Sequence, residues 1–136
     1  MSDLLLRPVG TVSSPVARPE DAVRQGDEGA PDCWIVLDAA VVDAAAQIAA
    51  GDRMIVLTWL HAADRSVLQV HPRDDPGRPL CGVFSTRAQH RPNPIGLHTV
   101  EVLGLDGARL HVRGLEAIDG TPVLDLKPVL GPVEGR

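Results

Sequence analysis

Aromatic residues are nearly missing from this chain of 136 residues: Trp34, Trp59 and Phe84 are the only three rings of that kind, and there is no tyrosine. A core built around large rings is excluded, so the interior must come from Val, Leu, Ile and Ala. So few rings also leave little with which to stack unpaired bases, the usual device of single-stranded RNA recognition. Cysteine is as scarce. Cys33 and Cys81 lie far apart with no C-x-x-C or metal-finger spacing, which reads as two buried thiols rather than a bridge or a ligand pair. No run approaches the ~18 apolar residues of a membrane span, and the N-terminal M-S-D-L-L-L-R-P lacks the charged-then-apolar order of an export signal. The expectation is a soluble, cytoplasmic protein with no membrane partner. The common mechanistic signatures are missing too: no G-x-G-x-x-G after a strand, no Walker loop, no H-E-x-x-H and no G-x-S-x-G. Histidines 61, 71, 90 and 98 have no metal-like pairing, so no metal is expected.

Acidic residues outnumber basic ones, giving a net charge of -5, which argues against a general nucleic-acid binder. The excess is unevenly spread. From His61 to His98 the chain carries five arginines against three aspartates and four of its five histidines, a formal +2, so the rest carries -7. The middle of the chain is therefore the part expected to face an anion, unless its arginines are only a solvated loop.

What is present is strand and turn. The length suits one domain over 1–136 with a core of its own. P-V-G-T-V-S-S at 8–14, C-W-I-V-L-D at 33–38, R-M-I-V-L-T-W-L at 53–60 and S-V-L-Q-V-H at 66–71 are β-branched-rich runs of strand length. V-V-D-A-A-A-Q-I-A-A at 41–50 has the composition of one short helix ending at Gly51. The polar stretch at 18–32 is long for a connection, as functional or disordered segments are. Asp106-Gly107 and Asp119-Gly120 sit between apolar runs as hairpin turns do, which predicts a three-stranded meander of 96–104, 108–118 and 122–128. Strict alternation in the last strand would put Val123, Asp125 and Lys127 on one face and Leu124 and Leu126 on the other. About seven strands with one helix point to an all-β barrel or closed sheet rather than an alternating α/β fold.

Three polar clusters remain for chemistry: W-L-H-A-A-D-R at 59–65, G-V-F-S-T-R-A-Q-H-R-P-N-P-I-G at 82–96, and G-L-E-A-I-D-G-T-P-V-L-D-L-K-P at 114–128. Within the second, Arg91 and Asn93 each precede a proline and are pushed to extended geometry, so the loop is stiff. In this order and spacing the clusters resemble the TrmO family, also called TsaA-like or VirR-like, supported by V-G-T-V-S-S-P near the start. The resemblance runs from about Val9 to Val129. It implies an S-adenosylmethionine-dependent methyltransferase on a small antiparallel β-barrel rather than a Rossmann sheet. It further implies a homodimer with the cofactor pocket near its interface, and tRNA carrying N6-threonylcarbamoyladenosine beside the anticodon as substrate, methylated on N6.

Carried over residue by residue, the resemblance implies a cofactor site of Arg87, His61, Ala62, Leu97, and Arg113, Gly114, Leu115 and Glu116, with Gln25 and Gly26 in the polar loop. His61, Arg91, Asn93 and Asp125 are the residues it suggests for the reaction, and Asp119 and Lys127 also match its motif. Attack on a sulfonium methyl is an in-line displacement that asks chiefly for positioning, which a rigid Pro-bracketed loop suits. A carboxylate such as Glu116 suits the cationic end of the cofactor and an arginine such as Arg87 its carboxylate. An acylated N6 is a weak nucleophile, so a base is conceivable, with His61, His90 and Asp125 all open. Plainer roles stand beside these: Asp119 as hairpin chemistry, Asp125 with Lys127 as a same-face ion pair, His61 as a core histidine. The family's tyrosine after K-P is Val129 here, and the extra C-terminal domain of longer members is not expected. A methyltransferase of the same fold acting on a small metabolite is the alternative, and a cofactor-binding protein without catalysis a third reading.

Overall fold

In the computed structural model of the chain, residues 3–15 and 32–131 are described. Among them are eight strands: β1 (Gly10–Ser13), β2 (Cys33–Leu37), β3 (Arg53–Trp59), β4 (Gln69–Val70), β5 (Cys81–Gly82), β6 (Ile95–Asp106), β7 (Arg109–Arg113) and β8 (Pro122–Pro128). Six close into an antiparallel barrel in the order β1-β2-β7-β6-β3-β8, while β4 and β5 form a separate two-stranded sheet. Closure leaves no unpaired edge on the main sheet.

Alternation decides which residues enter the barrel. Cys33, Ile35 and Leu37 on β2, Met54, Val56 and Thr58 on β3, Val100 and Val102 on β6, and Leu110 and Val112 on β7 are all buried. The intervening residues face outward. Val12, Ala45, Leu115, Ala117 and Val123 complete a core that contains neither tryptophan nor phenylalanine. Each Val, Leu or Ile among them stabilises the fold by about 1.5–3 kcal/mol when fully buried.

Four sequence expectations shift. The helix predicted at 41–50 is a 3-10 helix over Ala39–Ala45, opened by Asp38, whose carboxylate accepts from the Ala40 amide at 3.0 Å. Gly51 (φ 95) turns the chain into β3 after it. The strand expected at 66–71 shrinks to Gln69–Val70. The meander is half right: β6 and β7 pair across Asp106-Gly107, but β8 pairs with β1 and β3 instead of β7. Asp119-Gly120 is therefore a corner at the barrel's end, where the Asp119 carboxylate accepts from the Ser14 amide at 3.0 Å. Finally, β8 carries a bulge. Thr58 pairs with Val123 and Leu57 with Asp125, leaving Leu124 unopposed. Val123 is buried and Leu126 packs against the core, so these two share the inner side and the simple alternation fails. The polar stretch at 18–32 lies outside the described residues except for Asp32.

Candidate functional site

Antiparallel order places the ends of β1, β3 and β7 and the starts of β2, β6 and β8 at one end of the barrel. A shallow depression open to solvent lies there, enclosing about 40 Å³ and lined by Leu60, His61, Ala62, Ala63, Gln89, Glu116, Ala117, Ile118 and Thr121. All three polar clusters of the sequence contribute: His61 and Ala62 from the first, Gln89 from the second, and Glu116, Ala117, Ile118 and Thr121 from the third. Its floor is apolar and its rim carries an imidazole, an amide and a carboxylate. A roomier hollow at the opposite end, between the 3-10 helix and Met54 and Leu126, carries Asp52, Asp125 and Gln47 but no histidine or arginine. Motif chemistry therefore converges on the first. Among the described residues no three His, Cys, Asp or Glu side chains gather as a metal set.

The Pro-bracketed loop beside the depression is held by two arginines. Arg91 Nη1 donates to the carbonyls of Thr86 and Ala88 at 3.1 and 3.0 Å, closing the loop on itself. Arg65 reaches in from the first cluster, donating from Nε to the Pro92 carbonyl at 2.7 Å and from Nη2 to Asn93 Oδ1 at 3.0 Å. The same guanidinium lies over the Trp59 ring, 5.1 Å from its centroid. His90 Nδ1 accepts from the Asp64 amide at 2.8 Å. Asp64 in turn takes the Ser66 hydroxyl and amide at 2.6 and 2.8 Å. These two bonds, with the nearby His90, hold the Asp64 carboxyl below its ordinary pKa.

Behind the depression runs a buried polar chain. His98 Nε2 lies 2.8 Å from Thr58 Oγ1, and His98 Nδ1 lies 2.7 Å from Glu116 Oε1. Thr58 is 0% exposed and His98 5%, while the Glu116 side chain at 17% emerges into the depression.

The expected site residues divide by place. His61, Ala62 and Glu116 line the depression together. Arg87 stands exposed two residues before Gln89 and makes no hydrogen bond or ion pair with the described residues. Arg91 and Asn93 bond to the loop as described. Leu115 is buried in the core, and Gly114 (φ 96) is the turn that lets the chain leave β7. Arg113 is exposed on the outer face, 3.8 Å from Asp32 and 3.6 Å from Glu101. Leu97 faces outward on β6, 44% exposed, opposite Leu57. Asp125 belongs to the opposite end, 3.3 Å from Lys127 in a half-exposed pair. Gln25 and Gly26 lie outside the described residues. Arg65, Thr58, Gly96 and His98 were not singled out by sequence. One signal was available for the last: His98 is polar at an inward phase of a strand whose next inward residues are Val100 and Val102.

The sequence profile of the tRNA-methyltransferase O N-terminal domain matches residues 11–133. The chain belongs to this family. A relative from Methanothermobacter thermautotrophicus, named a probable S-adenosyl-L-methionine-binding protein, is 46% identical over 94% of this chain and 93% of its own length. The probable S-adenosyl-L-methionine-binding protein VirR of Rhizobium radiobacter is 39% identical over 88% of this chain and 67% of its own. A crystal structure of TrmO from Pseudomonas aeruginosa superposes with a TM-score of 0.75 at 29% identity, covering 96% of this chain and 56% of that one. The chain thus spans little more than half of that solved protein.

Proposed function

We propose that the protein is an S-adenosylmethionine-dependent methyltransferase acting on N6 of N6-threonylcarbamoyladenosine beside the tRNA anticodon. The observation that carries the cofactor half is the meeting of His61, Ala62, Gln89 and Glu116, from three separate sequence clusters, around one depression. The family supports the acceptor, since its profile is that of a tRNA methyltransferase domain. So does the formal +2 of the segment from His61 to His98.

The residues present fit the group. S-adenosylmethionine supplies an electrophilic methyl on a sulfonium cation. Glu116 puts a carboxylate at the rim, suited to a cationic or hydrogen-donating part of it. Arg87, exposed and unpaired with the described residues, suits its carboxylate. Leu60, Ala62, Ala63, Ala117 and Ile118 give apolar surface that excludes water from a bound ligand. Among the three possible bases, placement favours His61 as the acceptor of the N6 proton at a ring nitrogen. His90 already accepts the Asp64 amide, and Asp125 stands at the other end of the barrel. Arg91 and Asn93 serve by keeping the loop rigid, which matters when the reaction is mainly a matter of alignment.

The depression is open and, at about 40 Å³ of enclosed room, far smaller than the ~300–1,000 Å³ typical of ligand pockets. A second copy would supply the missing wall, with Leu97 brought in from the outer face, so we read the working form as a homodimer. The net charge of -5 and the three aromatic residues favour, as the second reading, a small-metabolite acceptor. Incubation of the protein with S-adenosylmethionine and tRNA with or without N6-threonylcarbamoyladenosine, followed by mass spectrometry of the nucleosides, separates them. One methyl gained on that nucleoside alone supports the tRNA reading. Unchanged tRNA, with the cofactor bound, transfers the case to the small acceptor.

A further inference from the structure

We infer that His98 is a positioning residue for Glu116, holding its carboxylate at the mouth of the depression with Thr58 as the fixed end of the chain. The inference rests on the reading of the depression as the cofactor site.

Glu116 needs such a support. It follows Gly114 (φ 96) in a segment outside any strand, so ladder bonds do not fix its backbone. Its side chain has several rotatable bonds, and a carboxylate free to wander costs ordering entropy when a ligand binds. Thr58 and His98 are the opposite case. Both stand on barrel strands, β3 and β6, and both are buried.

The direction of the hydrogen bonds follows from chemistry. A carboxylate only accepts, so the 2.7 Å contact requires the proton on His98 Nδ1. In the neutral ring Nε2 then accepts, and the Thr58 hydroxyl donates across 2.8 Å. The relay therefore reads Thr58 to His98 to Glu116, with the imidazole held at both nitrogens. Glu116 Oε1 is engaged, and Oε2 has no hydrogen bond to the described residues, leaving it to receive a donor of the ligand.

Gly96 gives an independent indication that this arrangement is built in. It lies directly across from Thr58 and two residues before His98 on the inward phase of β6. A Cβ there would run into Thr58 Oγ1 and stand 2.7 Å from His98 Nε2. The hydrogen bond between Thr58 and His98 thus occupies the room that a side chain at 96 would need. The glycine of R-P-N-P-I-G is explained by the relay rather than by backbone conformation.

Two substitutions separate positioning from space filling. The amide nitrogen of asparagine stands in for Nδ1, and that of glutamine for Nε2. His98→Asn is expected to recover most of the S-adenosylmethionine affinity measured by calorimetry. His98→Gln, which can keep Thr58 but not Glu116, and His98→Ala are expected to lose about tenfold or more. On a Glu116→Ala background His98→Ala should cost nothing further, because the pair acts as one unit. Thermal unfolding of each variant checks folding. In unliganded wild type, nitrogen-proton correlation spectra should show His98 protonated at Nδ1, a readout independent of any variant. Glutamine binding as well as wild type, additive losses in the double variant, or a ring protonated at Nε2 alone would overturn the inference while leaving the cofactor reading in place. Wild type that binds no S-adenosylmethionine overturns the reading and the inference with it.

Discussion

Burial governs the chemistry of Cys33. Its thiol is in the core, donating to the Leu115 carbonyl at 3.7 Å. Burial first, then the negative charges of Asp32 and Glu116, raise its pKa from 9.0 to about 11. The thiol stays protonated in the folded state where the unfolded chain ionises. Stability linked to it is complete below pH 9 and falls as pH rises toward 11, by up to about 3 kcal/mol. Denaturant unfolding from pH 8 to 11 should show this fall in wild type and a smaller one in Cys33→Val; equal falls would assign the loss elsewhere. A thiol reagent at pH 8 should modify Cys81 and spare Cys33 until the protein unfolds. The sequence reading placed both thiols in the interior, but Cys81 is only half-buried, because it lies on the short outlying sheet rather than in the barrel. The same limit applies to Arg65, whose partners Pro92 and Asn93 are distant in the chain and give no local pattern.

At the scale of elements, β-branched-rich runs bounded by turn residues carried most of the legible structure. They located β2 and β3 closely, and Asp106-Gly107 marked the turn between β6 and β7. The period-two reading of faces, made for the last strand, failed where geometry interrupts the period. The bulge at Leu124 lets Val123 and Leu126 both face the core, and β6 bends at a second irregularity between Val102 and Gly104. Two Asp-Gly pairs looked alike in sequence, yet one is a hairpin and the other a corner, because strand order in a closed barrel is a tertiary matter. Glycines can be distinguished experimentally on the same basis. Gly96→Ala should lower stability by about 1–3 kcal/mol through overpacking against Thr58 and His98. Gly104→Ala, with no heavy atom within 4 Å of the added carbon, should be near neutral. Thermal or urea unfolding compares them, and equal losses would mean that the space around Gly96 is not filled as described.

At the scale of the molecule, the outer faces of β3 and β6 form an apolar strip. Ile95 and Leu97 are 45% and 44% exposed and pair directly with Trp59 and Leu57. Apolar surface of this kind is where a second copy gains most by association. Ile95→Asp should therefore shift light scattering from a dimer toward a monomer and weaken cofactor binding together with it. Wild type already monomeric and fully active would refute the dimer. The barrel was legible because strands dominate the sequence; the exposed strip was not, because β3 and β6 meet only in the folded sheet. The central claim is that the depression at the end of the barrel holds S-adenosylmethionine. Calorimetric titration of the purified protein and of Arg87→Ala tests it most directly. The expected result is saturable one-site binding by wild type and a loss of more than tenfold in the folded variant, since a charge-assisted hydrogen bond contributes about 1.5–3 kcal/mol. The absence of saturable binding to wild type would contradict it.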